Sequence, residues 1–537
     1  MKFKIYKELH SKKNIKFIDR KKKIYRRQIA KLLNAIHKTN YIEAYWSIII
    51  DYWLSYFLFY IQYKINTFGI TNNVNSIYLK KNEIIFNTSE DLLRSIVSSG
   101  DLDSYVNGIF SKKTNSNNDY VKKINLSSVK KKIFSIKDFC YNLLFVLIRK
   151  LISLYIFIIK PIVIVEGYFG YKNSLKIFVI SFGKILIIPK KFLFDNKIND
   201  FYIDYSLRNE IKVEEKDLFD QVFNNLLKNF LPRSYLENYF TIKNNFLFYC
   251  NNISKLGTAT LHYSNDYFNI FLAEFKKKKK KFYVFQHGAY YTLIKYDLRE
   301  IIDKKDSFKT YYWNNQRGLG FNYLSRFKKI KSKNLINNKK IFYFSGPKKT
   351  YGINSMLMAQ KDYTPDLDGI IAIKIFKNLN SELKSKYYYR GFKESLNLDF
   401  LSNINKIINS RIKEHLILAD KNISSKKSIY ESRVVILDNF STAFYECIYI
   451  GIPVIVITDI NKFNFKGSVK KILFKLKNKG MIYDNPETAA NFLNKNYNTL
   501  FKWWNDLYFS QLMKELKFFL FKEDKNFCKK IAFELKK

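Results

Sequence analysis

The chain has 537 residues, of which 47% are hydrophobic, so it can form two to four domains with sizeable cores and is not a disordered chain. It carries 94 Lys and Arg against 46 Asp and Glu, a formal net charge of +48. Such a charge suits an anionic partner, namely a nucleic acid, a membrane surface or a phosphorylated substrate. Lys, Asn and Ile are abundant throughout, however, so the compositional bias of an AT-rich genome explains most of the charge.

The cysteines are scattered and predict neither a disulfide framework nor a structural zinc site. They form no CxxC pair and have no His at ligand spacing. The basic start of the chain is not followed by the apolar core of a secretory signal. We therefore expect a reduced, cytoplasmic protein without a metal and without a cofactor. The four cysteines of the chain are Cys140, Cys250, Cys447 and Cys528.

Elements of the first half alternate between helices and short buried strands. Residues 1–35 predict a basic helical arm, 40–64 a largely buried helix and 135–159 a further helix. Strands are predicted at 162–165 and 282–285, and the apolar runs 175–180 and 185–188 fit either strands or a helix–strand pair. Further helices are predicted at 218–229 and 261–275. This alternation is typical of an α/β fold.

The second half continues the same pattern beyond a basic linker at 328–340. Strands are predicted at 341–344, 387–389 and 434–437, and helices at 369–383, 400–408 and 488–520. Polar turns separate them, and 112–119 in the first half is the best candidate for a flexible loop. The linker predicts a domain boundary.

The apolar run 151–159 has two interpretations. It is shorter than the roughly 18 residues that a membrane span needs. A buried core helix is the interpretation we favour. The alternative is a helix lying on an anionic inner-membrane surface, because Arg149, Lys150 and Lys160 flank the run.

The first candidate site follows the predicted strand 282–285, at Gln286-His287-Gly288. In an α/β sheet, ligands bind at the carboxyl ends of the strands, so a His there can meet a substrate. Acids follow nearby, among them Glu300 and Asp306. The pattern indicates a catalytic His with acids that orient it, although a hydrogen-bonding loop His fits the same pattern.

The second candidate site lies in 433–457, which predicts one strand–helix–strand unit. Ser441 and Thr442 stand where the helix begins, and such a position can hold a phosphate with hydroxyls and free backbone N–H groups. Glu446, four residues after Thr442, shares their helix face and could bind ribose or sugar hydroxyls. Gly451 and Pro453 predict the helix end and the entry to the next strand. Ordinary helix capping is the alternative explanation for the two hydroxyls.

Together these motifs resemble a family of bacterial transferases found with surface-polysaccharide genes. The resemblance begins at Asn34-Ala-Ile-His37 with Trp46 and Trp53, continues through Gln286-His287-Gly288, Glu300 and Asp306-Ser-Phe-Lys-Thr310 with Trp313, and ends at Trp503-Trp504. Ser441-Thr442, Glu446 and Gly451-Ile-Pro453 resemble its donor-side signature. Ala289 and Tyr291 stand where that family's pattern has glycines.

The resemblance implies a GT-B-like α/β fold, with two Rossmann-like domains facing a cleft and an added amino-terminal helical segment. The expected division is a basic helical region at 1–130, an acceptor domain at 131–330, a donor-nucleotide domain at 331–495 and helices at 496–537. The family is also distantly similar to the glycerophosphotransferases and Kdo transferases of envelope biosynthesis.

The resemblance further implies a glycosyltransferase that uses a nucleotide-activated sugar and a polysaccharide or lipid-linked acceptor, in the cytoplasm or peripheral at the inner membrane. His287, with Glu300 and Asp306, would be catalytic. The alternatives are transfer of a polyol phosphate and, in another class, a basic nucleic-acid-binding protein, which the clustering of aromatics in apolar runs disfavours. The expected donor-binding residues are Gln286, Gly288, Gly346, Ser441, Thr442 and Glu446.

Overall fold

The computed structural model divides into two compact units. The amino-terminal unit comprises Met1–Phe285, Ile302–Thr310 and Ile531–Lys537, and the carboxyl-terminal unit comprises Gln286–Ile301 and Tyr311–Lys530. The four-part division expected from the sequence stays a prediction. The structure describes residues 12–68, 85–98, 106, 136–194, 202–291, 293–295, 297–314, 324, 327–329, 337–345, 370–390, 416–420, 422–522, 524 and 526–537.

The amino-terminal unit is rich in helices and contains a five-stranded sheet. Its helices are α1 (Lys12–Ile36), α2 (Glu43–Phe68), α3 (Ser89–Ser98), α4 (Ile136–Ile159), α5 (Tyr171–Ile180), α6 (Lys191–Phe194), α7 (Tyr205–Glu210), α8 (Leu218–Phe230), α9 (Tyr239–Asn252), α10 (Leu261–Ser264) and α11 (Asp266–Lys277). Its strands are β1 (Ile162–Val165), β2 (Ile185–Ile188), β3 (Lys255–Thr258) and β4 (Phe282–Phe285). The chain passes between the units within α12 (Leu298–Asp306) and β5 (Lys309–Tyr311).

The carboxyl-terminal unit contains a six-stranded sheet. Its strands are β6 (Lys340–Phe344), β7 (Tyr387–Arg390), β8 (Ile417–Leu418), β9 (Ser432–Leu437), β10 (Val454–Ile457) and β11 (Ile482–Tyr483). Its helices are α13 (Ile370–Asn378), α14 (Ser381–Lys384), α15 (Ser425–Tyr430), α16 (Thr442–Ile450), α17 (Gly467–Asn478), α18 (Pro486–Asn496), α19 (Leu500–Tyr508) and α20 (Gln511–Leu520). The last helix of the chain, α21 (Phe527–Lys536), ends in the amino-terminal unit.

Both sheets have strand orders typical of nucleotide-binding α/β folds. The amino-terminal order is β2-β1-β3-β4-β5, and the carboxyl-terminal order is β11-β10-β9-β6-β7-β8. The second order is that of a Rossmann fold, in which the first and fourth strands, here β6 and β9, are neighbours and the chain reverses its direction of growth between them. The pairs β1–β2, β1–β3, β9–β10 and β6–β9 are parallel, and buried side chains fill β1, β4 and β10. The predicted GT-B-like α/β class, with two Rossmann-like sheets, is confirmed.

The amino-terminal motif serves to join α1 and α2. The Asn34 side-chain oxygen accepts hydrogen bonds from the Thr39 hydroxyl at 3.0 Å, the Tyr41 backbone N–H at 3.0 Å and the Trp46 indole N–H at 2.8 Å. His37 contacts the Tyr235 carbonyl at 2.9 Å. These side chains therefore fix a helix–helix turn, and α2 is buried as predicted.

The favoured interpretation of 151–159 as a buried core helix is wrong. Large apolar side chains of α4 are exposed, including Leu151 at 58%, Leu154 at 54% and Ile158 at 63%, whereas Ile156 is buried. The sequence could not distinguish a core helix from a helix with an exposed apolar surface. A run that is apolar on every side gives the same pattern in both. Among the described residues, no helix combines the length and the apolar character required to cross a bilayer.

Candidate functional site

The second candidate site lies at the switch point of the carboxyl-terminal sheet. Strands β6 and β9 are parallel neighbours, with Phe344 paired to Leu437 at their carboxyl ends. In open α/β sheets, ligands bind outside the carboxyl ends of the strands at such a point. The segment 438–442 follows β9 directly and carries Ser441 and Thr442 into the first turn of α16. Gly346, two residues beyond β6, lies outside the described residues.

Ser441 occupies the N-cap position of α16 without capping the helix. Its backbone is extended, with φ −69° and ψ 179°, and within the described part of the chain its hydroxyl makes no capping hydrogen bond. By contrast, Ser424 and Ser510 cap α15 and α20 by accepting from the backbone N–H three residues later, both at 3.2 Å. Ordinary capping therefore does not account for Ser441.

A buried polar atom of the same loop also lacks a partner. The side-chain oxygen of Asn439 is buried and has no hydrogen-bond partner among the described residues. Leaving such an atom unsatisfied costs roughly 1–3 kcal/mol, so a bound group that donates a hydrogen bond there would be stabilising. Asn439 was not among the residues selected from the sequence.

Glu446 lies one turn into α16 and is buried, with 8% of its surface exposed. Burial, followed by the Glu446 carboxylate, raises the pKa of the Cys447 thiol well above its ordinary value. The same carboxylate, after burial, contributes to a raised pKa of the Tyr430 phenol. Glu446 is therefore a buried carboxylate of α16, and the hydroxyl-binding role expected for it stays a prediction.

The end of α16 has the expected turn chemistry. Gly451 adopts the left-handed conformation, with φ 95°, and its N–H donates to the Cys447 carbonyl at 2.9 Å. The Trp504 indole N–H donates to the Gly451 carbonyl at 2.8 Å, and the Trp503 indole N–H donates to the Lys479 carbonyl at 2.9 Å. Trp504 thus holds the end of α16 in place, and Trp503 holds the end of α17.

The first candidate site is a tightly bonded loop of the carboxyl-terminal unit. The Gln286 side chain donates to the Gly288 carbonyl at 2.8 Å and accepts from the Trp313 backbone N–H at 2.8 Å. The Trp313 indole N–H donates to the Gln286 carbonyl at 2.8 Å. Because both ends of the Gln286 amide are engaged, this side chain fixes the shape of the loop around His287.

His287 is half-buried and is accompanied by groups that sequence reasoning did not select. Its Nδ1 lies 3.4 Å from the Tyr291 hydroxyl. The Arg299 guanidinium lies over the Tyr291 ring at 4.8 Å and donates to Asp297 at 2.7 Å and to the Ala289 carbonyl at 3.2 Å. A series of contacts therefore connects Asp297 through Arg299 and Tyr291 to His287.

Tyr290 joins the two candidate sites, which are about 150 residues apart in sequence. Its backbone N–H donates to the Tyr445 hydroxyl at 3.2 Å, and its own hydroxyl has a backbone hydrogen bond with Phe440. Its ring stacks on Phe463 with centroids 6.0 Å apart. Burial raises the pKa of both tyrosines, so both remain neutral donors and acceptors. The loop of His287 and the start of α16 thus belong to one connected structure.

The two predicted catalytic acids lie in different parts of α12. Glu300 is in its first turn, within the carboxyl-terminal unit, and is buried. Asp306 is its last residue, belongs to the amino-terminal unit and is also buried; burial raises the pKa of its carboxyl, against the opposing effects of Lys305 and Lys276. Among the described residues, no group of three or more His, Cys, Asp or Glu side chains could hold a metal ion.

The contact between Tyr290 and Tyr445 can be tested by removing one oxygen. Tyr445→Phe leaves the buried Tyr290 N–H without its acceptor, so we expect the carboxyl-terminal unit to lose about 1–3 kcal/mol in unfolding free energy. Denaturant unfolding measures this loss. Tyr388→Phe, on the half-buried face of β7, is the matched control, and an equal effect of the two substitutions would contradict the assigned contact.

Comparisons with known proteins place the chain among transferases. The model of the LIC12162 family transferase matches residues 5–524. No curated protein matches the sequence. Similar solved structures include MurG of Acinetobacter baumannii, with 9% identity, 70% of this chain and 99% of that chain covered and a TM-score of 0.33. Another is the wall teichoic acid polymerase TagF, with 13% identity, 75% and 100% coverage and a TM-score of 0.31.

Proposed function

Because the chain belongs to the LIC12162 family of transferases, we propose that it transfers a sugar from a nucleotide-activated donor to a surface-polysaccharide or lipid-linked acceptor. The donor nucleotide would bind the carboxyl-terminal unit at the switch point between β6 and β9. The proposal includes a cytoplasmic location, peripheral at the inner face of the membrane.

One observation carries the donor site: a helix begins at the switch point with a serine hydroxyl that does not cap it. The Ser441 hydroxyl makes no capping bond in the described part of the chain. The first backbone N–H groups of a helix have no intrahelical acceptors, and the helix dipole favours an anion there. Ser441 and Thr442 would therefore hold the donor phosphates, and Glu446 the ribose or sugar hydroxyls. Gly346 and Gly288 would let backbone approach the ligand.

His287 would be the catalytic base. With Nδ1–H directed to the Tyr291 oxygen, Nε2 would be the basic nitrogen that accepts the proton. Nε2 would take the proton of the acceptor hydroxyl as its oxygen bonds to the sugar carbon. The bond from that carbon to the phosphate oxygen breaks, and the nucleotide leaves with the electron pair. Glu300 is proposed to orient the base, and Gln286 to position its loop. Asp306 lies in the other unit, and the orienting role expected for it stays a prediction.

Transfer of a polyol phosphate is the alternative within the same class. Such a donor also presents its phosphates to the start of α16, so only the choice of donor separates the two reactions. The nucleic-acid alternative gains no support from the aromatic side chains of the family motif, because base stacking needs accessible rings. The motif tryptophans Trp46, Trp53, Trp313 and Trp504 are instead among the largest fully buried side chains.

The donor proposal is tested by thermal unfolding with a panel of nucleotides, nucleotide sugars and nucleotide-linked polyols. A ligand at about 100 times its dissociation constant adds roughly 2.7 kcal/mol of stability. Ser441→Ala should abolish this gain while leaving the ligand-free midpoint nearly unchanged, since no cap is lost. Thr442→Ala and Glu446→Ala should weaken the gain as well.

Ser424→Ala is the matched control for the donor test. It removes a serine that does cap a helix of the same unit, so it should cost about 1 kcal/mol of stability yet keep the full ligand-induced gain. If Ser441→Ala behaves in the same way as Ser424→Ala, the hydroxyl at the switch point does not bind the donor.

A further inference from the structure

The exposed surface of α4 is apolar, unlike that of a helix that faces water. Leu143, Leu147, Leu151, Leu154 and Ile158 recur at steps of three and four residues, which places them on one face of the helix. All five side chains are exposed, from 54% for Leu154 to 63% for Leu143 and Ile158. An exposed helix face of a water-soluble protein is ordinarily polar. An apolar environment therefore suits this face better than water does.

The neighbouring helix α5 repeats the arrangement. Tyr171, Leu175, Val179 and Phe182 follow the same spacing, and Tyr171 and Phe182 are 83% and 87% exposed. The Tyr155 hydroxyl of α4 donates to the Gly183 carbonyl just beyond α5, so the two helices are joined in one unit. We call these two exposed stripes together the apolar face.

The apolar face is held in place by contacts on the opposite side of α4. The Ser153 hydroxyl is 2.9 Å from the Tyr249 hydroxyl of α9, and Phe145 stacks on Phe192 at 5.2 Å between centroids. Ile156 is fully buried. The helix therefore packs on the unit through its other side, and this packing leaves its leucines exposed.

The charges around the apolar face are almost all positive. From 143 to 194 the sequence contains a single acid, Glu166, whose carboxylate accepts a hydrogen bond from the Lys190 backbone N–H at 2.8 Å. Basic side chains close to an anionic bilayer each contribute to attraction to it. The exposed lysines are Lys150, Lys160, Lys172, Lys176, Lys184, Lys190 and Lys191.

We propose that the apolar face docks in the plane of an anionic lipid bilayer, with its leucines and aromatics among the acyl chains and its lysines at the headgroups. Apolar side chains on one side and basic side chains at the rim are the features of an interfacial helix. Lys150 lies in the middle of α4, which suits a helix that lies along the surface. Helix α5 follows the carboxyl end of β1 after five residues, so the docked surface adjoins the ligand-binding edge of the first sheet.

Flotation of the full-length protein with lipid vesicles tests this proposal without any donor or acceptor. We expect binding to vesicles of phosphatidylcholine with phosphatidylglycerol and much weaker binding to phosphatidylcholine alone. The double variant Leu151→Glu/Phe182→Glu should bind at least about tenfold more weakly, since two inserted apolar groups become charged. Replacing Lys172 and Lys176 by Gln should weaken binding to the anionic vesicles about fivefold for each lysine.

Phe509→Glu is the control, because Phe509 is 70% exposed but belongs to the other unit, and it should bind as the parent protein does. The proposal is overturned if the parent protein ignores anionic vesicles, or if the double variant binds them equally well. It is also overturned if the parent protein is oligomeric in solution and the double variant is monomeric. A second copy of the chain would then cover the apolar face. Vesicle binding needs no catalysis, so its failure and the failure of the donor site are separate results.

Discussion

His287→Ala should lower the turnover of the donor substrate by about 10²- to 10⁴-fold, the usual contribution of a positioned general base. The ring is only half-buried, so its removal should leave the unfolding midpoint close to that of the parent protein. Release of the nucleotide product, measured with the donor identified in the unfolding panel, gives the rate.

Tyr291→Phe accompanies this variant as a test of orientation. It removes the hydroxyl next to Nδ1 but keeps the ring on which Arg299 lies, so turnover should fall less than in His287→Ala. The kinetic constants should separate the two roles: Tyr291→Phe should lower kcat with KM little changed, whereas a purely structural tyrosine would leave kcat of the folded protein in place. Near-normal turnover of His287→Ala would remove the base from the mechanism.

Trp313→Ala should have the largest effect on stability, about 3–5 kcal/mol for loss of a buried indole. Trp313 is fully buried, donates to the Gln286 carbonyl at 2.8 Å and accepts at its own carbonyl from the Lys522 N–H at 2.7 Å. The variant would also lose the hydrogen bond from the indole to the Gln286 carbonyl, which helps to hold the loop. The protein that still folds should therefore lose activity. Denaturant unfolding of the carboxyl-terminal unit measures the stability.

Trp503→Ala is the matched control in the same unit. Its indole is only half-buried and donates to the Lys479 carbonyl at 2.9 Å, so its loss should cost less, roughly 1–3 kcal/mol. Activity per folded molecule should then be retained. Equal losses of stability and activity in both variants would mean that Trp313 has no special part in shaping the loop.

Local patterns in the sequence predicted most of the secondary structure that the site needs. Short apolar runs became β1, β4, β6 and β10, and the serine, glycine and proline signals of 433–457 correctly bracketed α16. These signals are local, because strand burial, helix initiation and the left-handed turn at Gly451 each depend on a few neighbouring residues.

Contacts between distant segments could not be predicted in this way. Tyr290 and Tyr445 are two of 41 tyrosines, and nothing in their immediate surroundings marks them as partners. The left-handed residue of the loop could not be predicted either, because it is Tyr290, with φ 75°, and a tyrosine carries no local signal for that conformation. The tertiary contacts of the Tyr290 ring and hydroxyl hold this otherwise unfavourable conformation.

The most direct test of the donor site is hydrogen–deuterium exchange of the protein with and without the nucleotide that stabilises it. The first amides of a helix lack intrahelical acceptors, so those of Thr442 and Ala443 at the start of α16 should exchange more slowly when phosphate oxygens accept from them. The start of α15 should be unaffected. Slowing confined to another region, such as the loops after β1 and β3, would contradict a donor site at the β6–β9 switch point.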